Sequence, residues 1–178
     1  MSAADEPILG WRVWRLRDRS LHSLVVDYRW EPGENQAVCL TPHRPRCPEP
    51  PGRRCTCGFW VTASPRLALT RTCAAVEPPW QVLGLVAVSG AIVDHGADGL
   101  RAERAELRCL CSDRPWSWLP PASGSWDELR AVAEEYAVPL LSLSNAVSIG
   151  LAGRSADPNV LSTAWGRAAA GGTERTAR

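Results

Sequence analysis

Hydrophobic and polar positions alternate from the start of the readable chain. In residues 8–30, Trp11, Val13, Arg15 and Arg17 interleave with Arg12, Trp14, Leu16 and Asp18. A period of two predicts a strand, here with faces less cleanly separated than usual. Asp18-Arg19-Ser20 is a turn candidate, and Leu21 to Val26 would return as the second strand of a hairpin. Trp30 to Asn35 is a turn-rich connector, and Gly58 to Thr62 reads as a short buried strand. Ser64 and Pro65 suit the N-cap and first position of a short helix. Residues 82–95 form a β-branched apolar run broken by Gly84 and Gly90, which predicts a buried strand with a bulge at Ser89-Gly90. Residues 100–111 are ambiguous: helix propensity is good, yet the pattern after Ala105 alternates. Ser125 and Glu128 form a capping box. The helix after it runs to about Tyr136, with Trp126, Leu129, Val132, Ala133 and Tyr136 on one face. Residues 138–143 resemble a short strand.

The expected fold class is α+β: a twisted antiparallel sheet with one or two helices and a metal-held Pro-rich loop. One domain is expected over residues 8–150, followed by a C-terminal extension, 151–178, whose Ala-Gly-Thr-Arg end should be disordered.

Residues 39–57 break every periodicity. Five of these nineteen residues are Pro, and Cys and His fill much of the remainder. Proline at this density excludes both a helix and a central strand. A loop of this length inside a small domain is either disordered or held by something.

Composition narrows what could hold it. The N-terminal residues are acidic and carry no apolar run of the secretory type, so a cytoplasmic location is expected. Seven Cys in a reducing compartment favour metal ligation or burial over a disulfide framework. The candidate ligands are spaced Cys39-x3-His43-x3-Cys47-x7-Cys55-x-Cys57. Zinc takes four N or S ligands in a tetrahedron, so five candidates leave at least one surplus. Cys55 and Cys57 flank a single residue and, if extended, point to one face. The preferred set is Cys39, His43, Cys55 and Cys57, with Cys47 as the alternate. A closed shell of this kind is structural, because it leaves no position for a substrate. Cys109 and Cys111 would share a strand face and, with Cys73, are expected to pack in the core.

Further residues carry a resemblance. Trp30-x-Pro32-Gly33, Ala37-x-Cys39, His43-x-Pro45 and Cys55-x-Cys57-Gly58-Phe59 resemble a family of small, mainly actinobacterial and phage-associated proteins of unassigned function. Gly90, Ile92 to His95 and Gly99 to Glu103 continue the likeness. Ser89 stands where that family usually has Trp. The resemblance covers about residues 10–140, weakly towards its end. It implies the preferred ligand set and does not include Cys47; it implies no activity. The composition agrees with such an origin: all 20 cationic residues are Arg and none is Lys, as a GC-rich genome produces.

Other chemistry is weaker. The formal net charge is +1, which excludes a broadly basic nucleic-acid binder but leaves local patches open. Arg12, Arg15 and Arg17 beside Trp11 and Trp14, with Arg53 and Arg54 in the loop, are the nucleic-acid candidates. His95, Arg101 and Glu103 form a possible polar site, with His95 as a general base if the protein were an enzyme. No nucleophile elbow, phosphate-binding glycine loop or H-E-x-x-H motif occurs. The reading that results is a small cytoplasmic protein carrying a structural zinc and acting as an interaction or adaptor module with a protein partner and no membrane role. The alternatives are a nucleic-acid-associated protein and a metal- or thiol-dependent enzyme.

Overall fold

The computed structural model describes residues 7–40, 46–72, 81–112 and 125–154. Among these residues, seven strands form one sheet: β1 (Ile8–Arg17), β2 (Ser20–His22), β3 (Glu34–Gln36), β4 (Phe59–Val61), β5 (Gln81–Asp94), β6 (Leu100–Cys111) and β7 (Leu140–Leu141). Three helices accompany them: α1 (Pro65–Thr72), α2 (Ser125–Glu135) and α3 (Leu143–Arg154). The architecture is α+β, as the sequence predicts.

The β1–β2 hairpin turns through Asp18 and Arg19, both at positive φ. Such a two-residue turn matches the natural twist of the flanking strands. Its return strand is shorter than the sequence suggests, ending at His22. β5 is the spine, pairing antiparallel with β1 on one edge and β6 on the other. Residues 100–111 are strand. Pairing along β5 decides what local propensity left open. The far edge of β6 is lined in turn by β4, β3 and β7, and β7 is the one parallel pairing among these strands.

The sheet also closes on itself at one end. Beyond β4, Thr62 exchanges backbone hydrogen bonds with Trp11 of β1, 2.8 and 2.9 Å. The path β1–β5–β6–β4–β1 is therefore a ring. Gly99, at φ +120°, makes the closure possible, because a Cβ there would run into the Val61 carbonyl.

Two cores result, one on each side of the sheet. Trp14, Leu16, Trp30, Phe59 and Val86 pack with Leu129, Val132, Ala133 and Tyr136 of α2. Trp11, Val13, Leu85, Cys109 and Cys111 pack with Ala68 of α1 and Ala146 of α3. Even and odd positions of β1 thus serve different cores, which is why its two faces read as mixed. Trp126 is 41% exposed and lies outside the buried face of α2 expected for it. α3 falls partly beyond the expected domain boundary at residue 150.

Candidate metal centre

Cys39 follows β3, and Cys47, Cys55 and Cys57 lie on the Pro-rich loop that leads into β4. The loop turns back so that the Sγ atoms of all four lie within 4.8 Å of one another. Cys39 Sγ and Cys55 Sγ are 3.7 Å apart. A tetrahedral zinc–thiolate site, with bonds of about 2.3 Å, has sulfur–sulfur edges of about 3.8 Å. The four thiols could hold a metal ion with little movement. Cys39 and Cys57 are buried, while Cys47 and Cys55 are half-buried.

The backbone is built around the sulfurs. The Gly52 amide donates to Cys57 Sγ at 3.4 Å. A Cβ on Gly52 would come within 2.6 Å of Cys47 Sγ, so only glycine fits there without displacing a thiol. Thiolate sulfurs commonly accept amide donors of this kind, and such outer contacts orient the ligands of a metal.

The thiols also shift one another's protonation. Hydrogen bonding with Cys55, then burial and the other two thiols, pushes the Cys47 thiol up to about 12. Burial foremost also raises Cys57. Cys47 and Cys57 thus resist losing their protons unless a positive charge enters among the thiols. A dication reverses that balance and deprotonates its ligands outright.

Arg101 of β6 fastens the loop to the sheet. Its guanidinium is 1% exposed, and Nη1 donates to the Cys57 carbonyl at 2.6 Å and the Gly52 carbonyl at 3.4 Å. Nε donates to His95 Nε2 at 2.8 Å. The His95 ring stacks on Trp60, with centroids 4.6 Å apart, and the guanidinium lies 5.5 Å over the same indole. A fixed cation therefore sits against the backbone of a candidate ligand, where a tetrathiolate site would carry excess negative charge.

The sequence candidates fare as follows. Cys39, Cys55 and Cys57 come together, joined by Cys47, the alternate; His43 lies outside the described residues. Cys109 and Cys111 are buried in the second core, where burial raises the Cys109 thiol. Cys73 lies outside the described residues. Arg101 and Glu103 do not pair with each other. Glu103 accepts instead from the Ala91 amide at 2.8 Å and Gln36 Nε2 at 3.2 Å. His95 is a partner of Arg101, and the neighbouring Asp94 carboxylate accepts from the Gly96 amide. Of the nucleic-acid candidates, Arg53 and Arg54 are exposed and Arg15 is half-buried. Arg17 bonds to Asp18 at the surface, and Arg12 turns inward to the Trp60 carbonyl at 2.7 Å. Trp11 and Trp14 are buried and present no ring face on which a base could stack.

What sequence reasoning missed is the anchoring role of Arg101 and the Gly52 cradle. The signal for Gly52 was its place between Cys47 and Cys55. For Arg101, nothing local marked the anchoring, because the loop carbonyls it holds lie more than forty residues away. Comparison with known protein families, with curated proteins and with solved structures finds no match to the chain.

Proposed function

We propose that the protein is a zinc-binding interaction module. One zinc ion, held by Cys39, Cys47, Cys55 and Cys57, fixes loop 39–57 against the sheet. The loop then presents an apolar surface to a protein partner. The observation that carries this reading is the grouping of four Sγ atoms within 4.8 Å. The closed four-sulfur shell makes the metal structural, since no coordination position is left for a substrate. The interaction role draws support from the flanks of the site. Val38 and Leu40, on either side of Cys39, are 49% and 41% exposed, and Val25 nearby in the same surface depression is 88% exposed. Apolar side chains clustered in the open beside a rigid site mark a contact surface more often than a solvated one. A reducing, cytoplasmic location and membership of the family the sequence resembles belong to the same reading. Among the described residues, no helix is long and apolar enough to cross a membrane.

Zinc affinity, read by competition against a chromophoric chelator, tests the ligand set. Serine at position 39, 47, 55 or 57 should each weaken zinc binding severely, and His43→Ala should leave it intact. Retention of full affinity by Cys47→Ser together with loss in His43→Ala would replace Cys47 by His43 in the set. Retention by Cys55→Ser/Cys57→Ser would remove the site.

A further inference from the structure

Beside the metal loop, at the edge of β1, lies a cavity of about 450 Å³. This is within the range of ~300–1,000 Å³ typical of small-molecule sites. Its wall is mainly apolar, with Trp11, Val26, Leu40, Phe59 and Trp60 among the lining residues, and among the described residues it contains one cation, Arg12, and no carboxylate. Apolar rim residues Val25 and Val38 stand in the open.

Arg12 is the unusual member. Its Nη1 donates to the Trp60 carbonyl and its Nη2 to Ser23 Oγ, and the guanidinium lies 5.1 Å over the Trp30 ring. Nε is buried with no partner. Among the described residues, no carboxylate lies within ion-pair distance of it. Burial lowers its pKa to about 10, the direction expected of a cation whose charge has no counterpart. A half-buried cation in an apolar wall that has no countercharge and an unsatisfied Nε carries a solvation cost. A guanidinium in an apolar wall matches a planar monoanion through its forked donors. A dianionic phosphate would call for more than one cation.

We propose that this cavity binds an apolar monocarboxylate, its hydrocarbon portion against the aromatic and aliphatic wall and its carboxylate on Arg12. The site rests on the metal reading in one respect: residues 37–40 and 56–58 form part of the wall, and the metal would hold them in place. The chemistry is the same whether the carboxylate arrives on a free acid or as the C-terminus of an apolar peptide.

The experiment titrates the full-length, zinc-loaded protein with decanoate, decanol and N-acetyl-leucylvaline, followed by calorimetry and by Trp emission. Decanoate should saturate one site and bind at least about tenfold tighter than decanol, the scale of one charge-assisted hydrogen bond. Arg12→Gln should abolish that preference while leaving decanol binding unchanged. Val38→Glu, on the exposed rim, should weaken decanoate about tenfold or more with the fold intact, and this variant decides the matter if Arg12→Gln does not fold. Tighter binding of N-acetyl-leucylvaline than of decanoate assigns the site to a peptide C-terminus, and the reverse assigns it to a free acid. Equal binding of decanoate and decanol, or no saturable binding of either acid, overturns the proposal. Zinc content is measured on the same samples. Zinc-loaded protein that binds neither acid defeats the cavity assignment alone, and a chain that takes up no zinc yet binds decanoate defeats the metal reading alone.

Discussion

Arg101 shows how much one side chain can settle. It is buried on β6, yet its hydrogen-bonding partners are an imidazole and two carbonyls of the cysteine loop. Replacing it by Met removes a cation and frees the loop carbonyls, with little change in volume. Loss of such an outer contact typically costs ~10–100-fold in metal affinity. Arg101→Met should therefore bind zinc about 10–100-fold more weakly, measured by chelator competition, while circular dichroism of the sheet is preserved. Gly52 acts at the same scale by absence. Gly52→Ala places a methyl on Cys47 Sγ, so it too should weaken zinc binding. The partners of Arg12 and Arg101 were not readable from local pattern. Alternation puts Arg12 on the mixed face of β1 with Trp14 and Leu16, but its principal acceptor, the Trp60 carbonyl, is 48 residues away. Cys47 was under-weighted for a related reason: one-dimensional spacing cannot say which of five ligands a Pro-rich loop folds inward.

At the scale of elements, the long β5–β6 hairpin organises the molecule, and Glu103 secures its irregular point. The register shifts between Ser89 and Ile92, where Gly90 sits at φ +77°. The Glu103 carboxylate accepts the Ala91 amide freed there, and that bond, followed by the one from Gln36, holds its pKa below the ordinary value of 4.5. A carboxylate with a depressed folded pKa contributes stability above its unfolded pKa. That contribution is lost as pH falls through the folded one. Thermal midpoints followed from pH 6 to pH 3 should fall more steeply for the wild type than for Glu103→Gln, and parallel curves would contradict the role. The effect is small, because the carboxylate is largely solvated. This bulge was legible beforehand from the Gly90 break in an apolar run, and so was α1, whose Ser64 Oγ accepts from the Leu67 amide at 3.2 Å. α3 was not, because its Ser, Gly and Ala positions give little apolar periodicity; of residues 143–150, Ala146 and Gly150 alone are buried.

Across the whole molecule, the Tyr136 hydroxyl, just past the end of α2, adds a buried polar tie to the apolar docking of that helix. Tyr136 Oη donates to the Trp30 carbonyl and accepts from the Leu21 amide, joining the helix to the β1–β2 hairpin and its connector. Tyr136→Phe leaves both backbone groups buried without that partner, at a cost of ~1–3 kcal/mol. Denaturant unfolding should show that loss without a change in zinc content. The two cores, the ring closed by Thr62 and the loop held at one end of that ring are non-local arrangements. The fold class could be read from strand and helix patterns, but ring closure depends on a contact between residues 51 apart. Residues 46–58 have no strand or helix of their own to hold them, and in the proposed account a metal supplies what secondary structure does not. Native mass spectrometry of the untagged protein, before and after chelation, tests that account most directly. One zinc per chain, removed only together with increased hydrogen exchange across residues 37–58, is the expected result. A metal-free chain in which all seven thiols titrate freely would contradict it.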